Sequence, residues 1–176
     1  MRKSLVLLAV VSVGGALLSM AAPARPAAGG DVDLECFGRF EVEFSPALGS
    51  TARPTRVTET DTYEGCRVGA LVGRSTRSYT INISCSDWAT TKPPGNEIVH
   101  WVGGFGDTYS SVHYSRVVAG RNEVTYVGEV IGGRLHDHNA EKVLIAESIA
   151  APTCAPDSAV RGASGGIRLT LTNPEW

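Results

Sequence analysis

From residue 34 onward the chain is written in a period of two. Cys36, Gly38, Phe40, Val42 and Phe44 share one parity, and Glu35, Phe37, Arg39, Glu41 and Glu43 share the other. One apolar and one charged side mark a strand with a single buried face. Tyr79, Ile81, Ile83 and Cys85 alternate in the same way with Thr80, Asn82 and Ser84. Between them, Arg56, Thr58, Thr60 and Thr62 form a solvent side. Their opposite parity holds Val57 and Tyr63 but also Glu59 and Asp61, which predicts partial burial at best. Further strands are predicted at Ile98 to Trp101, Tyr109 to Val118, Val124 to Ile131, Val143 to Ile149 and Ile167 to Leu171.

The breaks are equally plain. Ser45-Pro46 is expected to end the first strand, with Gly49-Ser50 reversing the chain and Pro54 starting the return. Lys92-Pro93-Pro94-Gly95, Gly103-Gly104 and Ala119-Gly120 punctuate the rest. No sustained 3.6-residue period competes, except over Ala140 to Ala150, where Val143, Ile145 and the following Pro152 favour strand over helix. About eight short strands at intervals of about ten residues predict an all-β, antiparallel two-sheet sandwich, immunoglobulin-like or a small barrel.

Composition places this domain outside the cell. Arg2 and Lys3 precede an uncharged run from Leu5 to Leu18, and small residues around Ala21 and Ala24 offer cleavage points. Residues 1–24 are therefore read as a secretory signal peptide, 25–33 as a short flexible lead, and 34–176 as one domain. The apolar run is shorter than the ~20 residues of a spanning helix, so no transmembrane anchor is expected in the mature chain. The whole chain holds 16 basic and 18 acidic residues, and losing the basic head makes it more acidic. Such a balance offers no basic patch for nucleic acid.

Four cysteines, Cys36, Cys66, Cys85 and Cys154, fit two disulfides in an oxidising compartment. Three pairings exist; Cys36–Cys66 with Cys85–Cys154 is favoured, because the first pair would staple the open end of a hairpin. Without any Cys-x-x-Cys pair, zinc is a poor use for them.

Several stretches carry a resemblance: Cys36-Phe37-Gly38, Ser45-Pro46-Ala47-Leu48, Arg53-Pro54-Thr55, Tyr63 to Cys66, Ser84-Cys85, Gly128-Glu129-Val130 with Gly132-Gly133, and Cys154. In this order they resemble a family of small secreted actinomycete proteins of unknown function, built around a Ser-Pro-x-Leu turn and an Arg-Pro-Thr strand. The resemblance implies a disulfide-linked β-sandwich and brings no activity or catalytic residue with it.

Candidate chemistry is sparse. His136-Asp137-His138, if extended, would aim two imidazoles one way and hold a metal with help from His100 or His113. Gly162-Ala163-Ser164-Gly165-Gly166 matches Gly-x-Ser-x-Gly, but no helix follows, so it reads as a flexible turn. Glu41 and Glu43 point together on one strand, unlike the opposed carboxylates of a glycosidase. Trp88, in a polar loop, offers a stacking face against a competing reading as core; Trp101 and Tyr126 read as core. Lys92-Pro93-Pro94 is the one stretch resembling an inhibitor loop. The sequence thus points to a secreted, non-catalytic binding or cell-envelope-associated module for an unknown extracellular ligand or cell-wall component. No catalytic, metal or cofactor residues are assigned. A loop-built enzyme around His136/His138 and an exported protease inhibitor are the alternatives.

Overall fold

The computed structural model describes residues 31–67, 71–88, 91–104, 108–120, 123–145 and 159–174. The expected signal peptide and Cys154 lie outside these described residues. Eight strands follow in order: β1 (Val32–Leu48), β2 (Arg53–Cys66), β3 (Val72–Ile83), β4 (Gly95–Val102), β5 (Thr108–Ala119), β6 (Glu123–Gly133), β7 (Asn139–Ile145) and β8 (Val160–Thr172). Each pairs antiparallel with the next, and β8 returns to β1.

The all-β, eight-strand expectation is met, but the two-sheet sandwich is not: the strands close into one barrel. The physical reason lies in β1, which pairs with β2 along one edge and with β8 along the other. Inward alternation is the same in a sandwich and a barrel, so the pattern alone could not separate them. The closing partner was also obscured. Gly162 to Gly166 is not a flexible turn but part of β8, with Gly162 opposite Glu43 and Ser164 opposite Glu41. A Cβ at Gly162 would stand 2.5 Å from the Val42 carbonyl oxygen, so glycine here permits close strand approach. Likewise Ser45-Pro46 does not end β1, which runs on to Leu48 past an irregularity in its pairing with β8.

The apolar parity of β1 faces inward as expected: Leu34, Cys36, Phe40, Val42 and Phe44 are all buried. Cys36 and Cys66 face each other across β1 and β2 and form a disulfide over a separation of 30 residues. Cys85 is buried and disulfide-bonded. Trp88 is only 3 % exposed and meets Phe44 edge-on at 5.7 Å, so it belongs to the core and presents no stacking face. Trp101 and Tyr126 are core, as read from the sequence.

Two glycines face bulges in the neighbouring strand, Glu64 being the extra residue of β2 and Ser115 that of β5. At Gly38 in β1 and Gly128 in β6, an added Cβ would lie 1.8 and 1.9 Å from the carbonyl oxygens of Thr62 and His113. Backbone cannot yield there as a flexible side chain would. Gly128→Ala is therefore expected to destabilise the protein by more than about 2 kcal/mol in urea unfolding. Gly132→Ala, whose nearest neighbour would be the Ser111 Cβ at 3.8 Å, is expected to change stability by under about 1 kcal/mol. Equal effects would contradict the close approach at the bulge.

Candidate functional site

The interior of the barrel is not uniformly apolar. Because β2 turns the parity of Val57 and Tyr63 inward, Glu59 and Asp61 go with it and are 2 % and 3 % exposed. The sequence reading of partial burial is corrected here. Carboxylates taken out of water must be matched by cations and hydrogen bonds. Glu59 receives Arg77 Nε at 2.6 Å, from the residue directly opposite on β3, and Lys92 Nζ at 2.7 Å. Tyr79 Oη also donates to it, at 2.9 Å.

A second cluster lies beside the first. Lys142 of β7 is fully buried and donates to Asp61 Oδ2 at 2.9 Å and to Glu97 Oε2. Ser75 Oγ donates to the other Glu97 oxygen at 2.6 Å. The Lys142 ammonium also stands 5.1 and 4.8 Å from the Tyr114 and Tyr126 rings. Arg77 links the clusters by donating from Nη2 to Tyr126 Oη at 2.8 Å. Glu59, Asp61 and Glu97 thus balance Arg77, Lys92 and Lys142 in charge.

The protonation states follow from burial set against partners. Burial works to raise Glu59, but Lys92, Arg77 and Lys142 together outweigh it and hold the carboxyl low. For Asp61 burial prevails over the pull of Lys142, aided by the nearby Glu97 and Glu59, and its pKa rises to about 6. Glu97 is held low against its burial by Lys142 and Ser75. Burial pushes Lys92 down in spite of Glu59, whereas Asp61 and Glu97 outweigh burial at Lys142 and raise it. Tyr63 and Tyr114 are pushed well up by burial and then by Glu97 and Asp61, so both stay neutral phenols. Their hydroxyls find no hydrogen-bond partner among the described residues.

The network reaches a cleft in the wall between β3 and β4. β3 and β4 pair only through Val72–Arg74 and His100–Val102. Beyond Arg74, β3 remains paired to β2, and the first half of β4 to β5, but not to one another. A cleft of about 510 Å³ opens in this seam, lined by Ser75, Arg77 and Glu97 together with Arg74, Thr76, Asn96, Ile98 and His100. A second cleft, of about 300 Å³, continues along Arg77 to Ile81 on one side and Pro93 to Asn96 on the other. The cause is local. Lys92 turns inward to Glu59, and Pro93 and Pro94 have no N–H with which to pair to β3.

The other sequence candidates fall elsewhere. His136 to His138 occupy a turn with Leu135 and Asp137 at φ 57° and 71°, not an extended segment. His136 faces Asp137 at 2.9 Å and His138 faces Asp33 at 2.7 Å, so the two rings are engaged by different carboxylates. Among the described residues no group of three metal-ligating side chains gathers. Glu41 and Glu43 are exposed on the outer wall. Lys92, the basic residue of the supposed inhibitor loop, is buried against Glu59. What sequence reasoning passed over are Glu59, Asp61, Arg77, Glu97 and Lys142. Their signal was parity: Glu97 shares a side with Val99 and Trp101, and Lys142 with Ala140 and Leu144.

Two outcomes follow. Lys142→Met would leave two carboxylates buried without their cation and is expected to cost about 3–5 kcal/mol. Arg168→Met, which breaks a one-third-exposed pair with Glu141, is expected to cost no more than about 1 kcal/mol in the same urea titration. For Asp61 the folded pKa lies above the unfolded value near 4, so its contribution is full below that pH and is lost as pH rises through 6. Glu59 and Glu97 act oppositely, contributing above about pH 4.5 and losing that contribution in stronger acid. Asp61→Asn is thus expected to abolish a fall in stability on the order of 2 kcal/mol between pH 4 and 6, while the acid limb remains. An unchanged slope between pH 4 and 6 would contradict the assignment.

No protein family, curated protein or solved structure matches the chain, so the reading of the site rests on its geometry.

Proposed function

We propose that this is a secreted, non-catalytic binding protein whose ligand site is the seam between β3 and β4. One observation carries the reading: the wall opens where Ser75, Arg77 and Glu97, members of the buried ion network, form the floor of a cleft. A small eight-stranded barrel usually fills its interior with side chains or holds one small ligand. Here the interior is filled by paired charges and aromatic rings, which leaves the seam as the place where a ligand meets them. Each ionised group of the floor is committed to a counter-charge, an arrangement suited to holding a partner in a fixed field rather than to passing protons. Export is supported by the leader-like first residues and by the disulfide chemistry of the cysteines. The outer faces of β2 and β3, with Arg56, Thr58, Thr60, Arg74, Thr76 and Ser78, suit water rather than lipid.

Filling the cleft tests the proposal. Thr76 and Ile98 are exposed at its rim, so Thr76→Trp with Ile98→Trp is expected to leave the fold intact. A panel of cell-wall oligosaccharides, peptides and small organic anions is then screened by thermal shift. Compounds that raise the melting midpoint of the native protein are expected to lose at least tenfold in affinity for the filled variant. Ligands that bind both proteins equally would place the site elsewhere.

A further inference from the structure

We infer that the occupant of the seam is an extended peptide segment, added as a strand against the edge of β3 that β4 leaves unpaired beyond Arg74 and carrying a carboxylate side chain toward Arg74 and His100. This deepens the proposed function and rests on it. In an antiparallel ladder, residues alternate between those whose N–H and C=O bond to one neighbour and those whose groups point away from it. From Ser75 to Ile83 the ladder to β2 is continuous, so every second residue of this stretch turns its backbone groups into the seam. The edge of β4 does the same from Gly95 to Val99. Both clefts are lined from the two edges at once. A ligand with its own repeating donors and acceptors satisfies such edges, and an extended polypeptide does so along its whole length.

Charge narrows the choice further. Arg74 and His100 are cross-strand partners at the point where pairing stops, and both side chains are exposed. A strand entering the gap meets this pair at its leading end, where an outward Asp or Glu would lie between two groups able to donate to it. Pro93 and Pro94 flank the far end, where they offer apolar surface and no N–H, so the incoming chain draws its backbone bonds there from β3.

The probe is a displayed library of random octapeptides between Gly-Ser linkers, selected on the disulfide-intact protein. Enriched peptides are expected to hold Asp or Glu at one fixed position. As synthetic peptides they should lose at least tenfold in affinity on N-methylation of alternate amides. They should lose a similar factor against Arg74→Glu with His100→Glu, and should slow hydrogen exchange in β3 and β4. Peptides indifferent to N-methylation, or protecting amides away from the seam, would overturn the inference. So would a failure to enrich any peptide. If an oligosaccharide protects the same amides while no peptide does, the seam remains a binding site and the peptide assignment falls. If nothing from either class protects the seam, both fall together.

Discussion

The Lys142 ammonium has no path to water and is held between Asp61 and Glu97. Its three residues come from β7, β2 and β4, so the contact ties distant parts of the barrel through the interior. It also fixes register. Slipping β7 by one residue would carry Lys142 to the outer face and strand two carboxylates inside. Buried ion pairs seldom add net stability over well-packed apolar side chains, because desolvation offsets the attraction. What this one supplies is a penalty against alternatives, since a half-satisfied version is worse than either extreme. The Glu59 cluster repeats the logic with a loop residue: Lys92 reaches its carboxylate only if the chain after β3 folds back over the end of the barrel.

That fold-back brings the seam with it. To deliver Lys92 inward, the chain passes through Pro93 and Pro94 before β4 begins, and the start of β4 therefore stands off from β3. Barrels normally abolish sheet edges, and an edge left open is a site for pairing with another chain. Here the opening is limited by the Arg74–His100 pairing at one end and the prolines at the other. Ser75 and Glu97 bridge its floor, so the gap is an ordered feature of the wall.

Much of this was legible in the residues, and the failures share a cause. The alternation in β1 and late β3 located strands, and the cysteine spacing located the staple between Cys36 and Cys66. Closure was not legible, because it depends on pairing β1 with a glycine-rich strand far along the chain whose Gly162 is demanded by contact with Val42. The charged interior was discounted because Glu59 and Asp61 look solvated when read alone. Only their partners on β3, β4 and β7 make burial affordable, and each of those also breaks an apolar parity. Charged residues on the inward side of four strands were the signal, visible once taken together. His136 and His138 misled for the opposite reason: adjacency in sequence suggested a shared ligand, while one ring meets Asp137 and the other Asp33.

Residue-resolved hydrogen exchange of the ligand-free protein tests the central claim most directly. If the wall is open between β3 and β4, protection from Thr76 to Ile81 should alternate along the chain, slow for amides bonded to β2 and fast for those facing the seam. In β2, paired on both sides over Thr58 to Tyr63, protection should not alternate. Uniformly slow exchange through β3 would mean that the barrel is closed there and that the seam is not a site.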